Sequence, residues 1–204
     1  MARQVPSSCP TESFDDQQES NESQKTRGKQ KMRKQQKGFS LIELLIVVAI
    51  ILIIAAIAIP NLMRARMAAN NSSAAASERS IVTGEIGYSS GYPTIGFPLT
   101  LAPLGGASPC VPAVANACLI DNLLATAIPG GAGKSGFFFN ATGSAGAGST
   151  TNNQFYTVGY PISNQSGTTS YCAFEDGVIR QQAAGTIAVV ASEAACQALL
   201  PIAN

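Results

Sequence analysis

The sequence predicts an α+β protein: one long N-terminal helix, its first half membrane-spanning, packed on a small antiparallel β-sheet. Three observations predict it. From Leu44 to Ile59 every residue is apolar, and with Phe39, Leu41 and Ile42 the run reaches the roughly 20 residues that cross a hydrocarbon core. Past Pro60 the pattern turns amphipathic at helical spacing with no intervening loop signal. The last third holds short β-prone segments separated by Gly, Ser, Asn and Asp, with Glu175-Asp176-Gly177 as a hairpin turn signal.

The elements follow in chain order. Residues 1–31 are rich in Gln, Ser, Glu and Lys and hold almost nothing to bury, which is the composition of a disordered segment. Met32 opens Met-Arg-Lys-Gln-Gln-Lys-Gly, a compact basic leader by itself, so translation starts either there or at Met1 with a long leader. The cluster Lys25, Arg27, Lys29, Lys31, Arg33, Lys34 and Lys37 flanks the apolar run, and the positive-inside rule puts this end in the cytoplasm and everything after Ile59 outside. A basic flank to a membrane helix already explains these residues, so no nucleic-acid motif is read from them. After Pro60, which should kink the helix because it lacks a backbone donor, Met63, Met67, Ala74, Ile81 and Tyr88 form a stripe filled by Asn70 and Ser77. Arg64, Arg66, Glu78 and Arg79 are placed mostly off it. One helix should therefore run from Phe39 to about Tyr88, roughly 75 Å at 1.5 Å per residue, and end at Gly91-Tyr92-Pro93.

Residues 93–135 read as a long Pro/Gly/Ala-rich loop with a short helical turn around Leu119 to Thr126. Strands are expected at Gly136 to Phe139, Gln154 to Ile162, Ser170 to Phe174 and Val178 to Gln181, with Ala141 to Asn153 a loop. The end reads as a strand at Ile187 to Val190 and a short helix from Ser192 to Leu200 capped by Ser192.

At 204 residues the chain holds one domain, a tail and an anchor. Its organisation reads as a disordered cytoplasmic leader (1–38), whose cleavage is implied by the resemblance described below, a transmembrane half-helix (39–60), an amphipathic half-helix (61–90) and an extracytoplasmic globular domain (91–204). There is no histidine, so Ser/His/Asp and Cys/His nucleophilic catalysis are excluded. Cys9 lies in the leader and Cys110, Cys118, Cys172 and Cys196 in the exported part, an even number where disulfides persist. Of their three possible pairings, Cys110 with Cys118 and Cys172 with Cys196 are expected.

One residue of the apolar run is out of place. Glu43 has apolar neighbours on both sides, and an acid in a membrane segment is a functional-site hypothesis that needs a named partner. Together with the basic flank, Lys37, Gly38, Phe39, Ser40, Leu41, Ile42, Glu43, Leu44 and Leu45 closely resemble the class III signal of type IV pilins and type II secretion pseudopilins. Pro60 falls where helices of that family often carry a proline. The resemblance covers roughly residues 32 to 90 and is only architectural beyond. It implies that a prepilin peptidase cuts after Gly38, that Phe39 becomes the N-methylated N-terminus, and that Glu43 guides assembly into a helical filament by meeting the Phe39 amine of a neighbouring subunit. Coulomb attraction at 4 Å is about 4 kcal/mol at an effective dielectric of 20, much of it offset by desolvation, so the pair would specify assembly more than strengthen it.

The resemblance therefore implies no enzyme and no cofactor. It implies a homo-oligomeric filament subunit, inserted in the inner membrane as a precursor and served by an inner-membrane assembly platform, with roles in adhesion, twitching motility or DNA uptake. A type II secretion pseudopilin is the alternative, and a membrane-anchored binding protein that never polymerises is a further one.

Other motifs weigh less. Gly130-Gly131-Ala132-Gly133-Lys134-Ser135 ends as a phosphate loop does, but the required first glycine would fall at position 128, which is Ile, and a strand rather than a helix should follow. Asn70, Asn71, Asn140 and Asn164 begin short, common sequons. Glu175 and Asp176 offer too few oxygens for calcium, and the turn reading is preferred, leaving no metal ligands. The aromatic residues Tyr88, Tyr92, Phe97, Tyr156, Tyr160 and Tyr171 read as helix-to-sheet packing rather than an exposed strip.

Overall fold

The computed structural model describes residues 38–182, 185 and 189–202. The leader expected to be disordered, residues 1–37, lies outside them, as do residues 187 and 188 of the last expected strand. Helix α1 spans Leu41–Gly91, 51 residues or about 76 Å. It runs unbroken through Pro60. Pro60 has no N–H to give to the preceding turn, and one residue on, Asn61 Nδ2 donates to Ile57 O at 3.2 Å. The helix stops where Tyr92 leaves helical geometry, its N–H still donating to Tyr88 O at 2.9 Å.

Five strands follow in a meander: β1 (Phe137–Ser144), β2 (Gln154–Pro161), β3 (Tyr171–Phe174), β4 (Arg180–Gln181) and β5 (Leu200–Pro201), antiparallel and in that spatial order. The sheet is larger than the sequence suggests at both edges. Strand β1 continues through Ala141–Ser144, expected as loop, because Ala141 pairs with Thr157 and Ser144 with Gln154. A glycine is needed inside it: Gly143 donates to Pro98 O at 2.9 Å, and a Cβ there would lie 2.5 Å from that oxygen. At the other edge, β5 takes the place of the end of the expected helix. Helix α3 is only Glu193–Gln197, capped by Ser192 Oγ, which accepts from Ala195 N at 3.2 Å. The chain then turns back, and Leu200 pairs with Gln181. Val189 and Val190 are not in a strand.

Because side chains alternate along a strand, the sheet has two occupied faces. Phe137, Phe139, Ala141, Phe155, Tyr171 and Ala173 pack against Ala74, Ala75, Ile81, Val82 and Tyr88 of α1. On the other face, Val158 and Cys172 form a smaller core with Val190 and Cys196, covered by Tyr156, Tyr160, Phe174 and Leu199. The disulfide Cys172–Cys196 joins that face to α3. Beyond α1, the loop from Pro93 to Ser135 packs as a wrap, with Leu101, Leu104 and Leu124 fully buried. It contains a 3-10 turn at Ala102–Leu104 and a short helix, α2 (Asn122–Ala125), whose Asp121 side chain accepts from Leu124 N. A second disulfide, Cys110–Cys118, closes its tip, and Tyr88 Oη donates to Val114 O at 2.8 Å.

Candidate functional site

The N-terminal segment stands apart from the domain. Gly38 and Phe39 precede the helix, Ser40 is extended, and α1 starts behind it, the Ser40 carbonyl accepting from Leu44 N at 3.1 Å. Phe39 is 77% exposed. Glu43 lies in the first helical turn, where the unpaired N–H groups and the helix dipole favour a negative charge. From Leu41 to Leu62 nearly every side chain is exposed, and α1 first becomes buried in the domain near Asn70 to Ala74. A bare apolar rod some 20 residues long needs lipid or other apolar helices around it.

Where that rod ends, the domain is clamped to the helix. Asn70 Nδ2 donates to Ser166 O at 2.7 Å, Asn71 Nδ2 donates to Thr168 Oγ1 at 3.0 Å, and Asn71 Oδ1 accepts from Thr168 N at 3.1 Å. These two asparagines therefore hold the helix to the loop between β2 and β3, which favours a structural use over a sequon.

The other sequence candidates take structural places as well. Lys134 of the Gly-rich loop is bound to Asp121 at 2.8 Å, and the segment leads into β1. Asp176 pairs with Arg180 at 2.6 Å and accepts from Val178 N at 3.0 Å, while Glu175 Oε1 accepts from Phe155 N at 3.2 Å, so this acidic pair builds the β3–β4 turn, where Gly177 adopts φ 69°. Burial alone would raise the Asp176 carboxyl; the Arg180 guanidinium and the Val178 N–H together outweigh it and hold the group below its ordinary value. Among the described residues no three His, Cys, Asp or Glu side chains come together as a metal site. The aromatic residues pack: Phe97 on Phe155 at 4.7 Å between ring centroids, Phe137 on Tyr171 at 6.3 Å.

One placement corrects the sequence reading. Glu78, expected mostly off the packed stripe, is 0% exposed, and so is Glu85. Thr157 Oγ1 donates to Glu78 Oε1, but Glu78 Oε2 and both oxygens of Glu85 have no partner among the described residues. Burial pushes Glu78 up to about 8, against the hydrogen bond from Thr157; burial and then the neighbouring Glu78 push Glu85 up to about 8. The signal was present: 74, 78, 81, 85 and 88 alternate steps of four and three, the spacing of a single helix face, whereas stepping by seven from 74 to 81 to 88 skips both acids.

The long apolar helix and the antiparallel sheet together define a pilin-like α+β architecture. Within it, residues 33–59 match the family of the prokaryotic N-terminal methylation motif. That motif is the one found in the class III signal peptide of type IV pilins, and the matched segment includes the head of the exposed helix. No curated protein and no solved structure matches the chain significantly.

Proposed function

We propose that this chain is the precursor of a type IV pilus-like filament subunit, cut by a prepilin peptidase after Gly38, N-methylated at Phe39 and polymerised through α1. The observation that carries this reading is the methylation motif at residues 33–59 on a helix whose first 20 residues are uncovered by the rest of the chain. In the precursor, lipid covers that surface. In the filament, copies of the same helix replace it, delivered by an inner-membrane assembly platform. Under this reading residues 1–38 are the discarded leader, 39–60 the filament core, 61–90 the half-helix that carries the domain, and 91–204 the outward-facing domain. The basic flank before Gly38 supports a cytoplasmic leader, and two disulfides support a domain exported to an oxidising compartment. The function is then mechanical or adhesive, as a surface pilus for attachment, twitching motility or DNA uptake.

Glu43 supplies the register: its carboxylate meets the Phe39 amine of the next subunit in a core where an unpaired charge is costly. The test is mass spectrometry of sheared surface filaments, in which the subunit should begin with methylated Phe39. Glu43→Ala should still insert and still be cleaved, yet give few or no filaments. Wild-type protein kept as an uncleaved, non-polymerised anchor would reject the filament reading, and filaments confined to the periplasm would assign it to a secretion pseudopilus.

A further inference from the structure

Where α1 enters the domain there is a polar cleft of about 350 Å³. Helix α1 lines it with Met63, Arg66 and Asn70, and the β2–β3 loop with Ser163, Gln165 and Ser166. The walls are held in place: Asn70 Nδ2 is bound to Ser166 O at 2.7 Å, Ser163 Oγ lies 2.9 Å from Ser166 Oγ, and Ser135 Oγ lies 2.9 Å from Ser73 Oγ. No acidic side chain lines the cleft, and Arg66 has no ion-pair partner among the described residues.

Its height is set by the helix. Leu41 to Pro60 is 20 residues, about the 30 Å of a hydrocarbon core. Arg66 then sits roughly 9 Å beyond the apolar boundary, next to a headgroup layer about 5 to 8 Å thick. Helical side chains tilt toward the helix N-terminus, here toward the bilayer, and a long arginine extends that reach.

We propose that this cleft binds the phosphate of an anionic glycerophospholipid in the outer leaflet of the membrane that α1 spans. Arg66 takes two phosphate oxygens in its planar fork, and the hydroxyl and amide groups of Ser163 and Gln165 bond the polyol beyond. The site rests on the membrane-anchored state of the precursor and not on filament assembly, so the two readings fail separately.

The test uses the full chain in nanodiscs of mixed phosphatidylglycerol and phosphatidylcholine, with bound lipid read by native mass spectrometry. Phosphatidylglycerol should be enriched about fivefold over phosphatidylcholine. Arg66→Gln and Ser163→Ala should each reduce that enrichment. Arg64→Gln removes an equal charge two residues away, roughly 200° around the helix, and should leave most of it. Equal binding of the two lipids would overturn the site, and equal loss from Arg64→Gln and Arg66→Gln would overturn it in favour of general attraction to basic residues. Arg66-dependent binding of inorganic phosphate in pure phosphatidylcholine discs, with no lipid enrichment in the mixed discs, would overturn the lipid assignment in favour of a free anion.

Discussion

The two carboxyls buried between helix and sheet should make the domain lose stability as pH rises toward neutrality. Glu78 and Glu85 have an ordinary pKa of 4.5 and are pushed up to about 8 in the folded chain. In the unfolded chain they ionise near the ordinary value; in the folded chain they keep their protons until about 8. Below the lower value both states are protonated and the contribution is fully present. Between the two values the unfolded state is favoured by about 1.4 kcal/mol per pH unit for each group, and beyond about 8 nothing more is lost.

From pH 5 to pH 7 the pair therefore removes about 5 kcal/mol, comparable to the whole stability of a small domain. Coupling between the two carboxyls affects how this loss is divided more than its sign. The assay is urea unfolding of the full chain in detergent micelles, followed by near-ultraviolet circular dichroism of the tyrosines across that range. Glu78→Gln keeps the shape and cannot ionise, so it should remove about half of the slope and be more stable than the parent near pH 8. Stability that is flat or rises from pH 5 to pH 8, or an unchanged slope in Glu78→Gln, would refute the reasoning.

Four further outcomes follow. A bulky residue at Gly38 should leave only the unprocessed chain, seen as one larger band on a denaturing gel and an intact N-terminal tag. Replacing Cys172 and Cys196 together by serine opens a loop with a separation of 24 residues and should cost about 3.5 kcal/mol in the same unfolding assay; the bond between Cys110 and Cys118, with a separation of 8, should cost about 2.5 kcal/mol. Gly159→Ala would place a Cβ 2.8 Å from the Phe139 ring and 3.2 Å from Glu78 Oε2, overpacking the helix–sheet interface by about 1 to 3 kcal/mol, measured as a lower Tm.

The parts of this protein legible in sequence are those that depend on neighbours along the chain. Gly38 through Glu43, the unbroken apolar run and the basic flank are contiguous. The helix continuing past Pro60 is a repeat at one period, and Gly91-Tyr92-Pro93 stops it close to where α1 ends at Gly91. Ser192 as a cap and Glu175-Asp176-Gly177 as a turn are also short-range, and both form as read. A single strand of amino acids suffices for such features because propensity, capping and amphipathicity act over one or two turns.

Tertiary structure decided what lands opposite each residue. Gly143 reads as loop until Gln154 to Thr157 pair with its strand and Pro98 closes over it; Leu200 reads as a helix end until β4 offers an edge. The helix-face spacing carries the burial of Glu78, but its partner Thr157, 79 positions along the chain, is supplied only by the fold. The cleft beside Arg66 likewise needs Ser163 to Ser166 to be brought against the foot of the helix. The sequence by itself thus determined the long apolar helix and the methylation motif, because each is one continuous segment of chain. Only the fold determined which group meets each buried acid and which polar groups converge, because those depend on pairings between segments far apart in the chain.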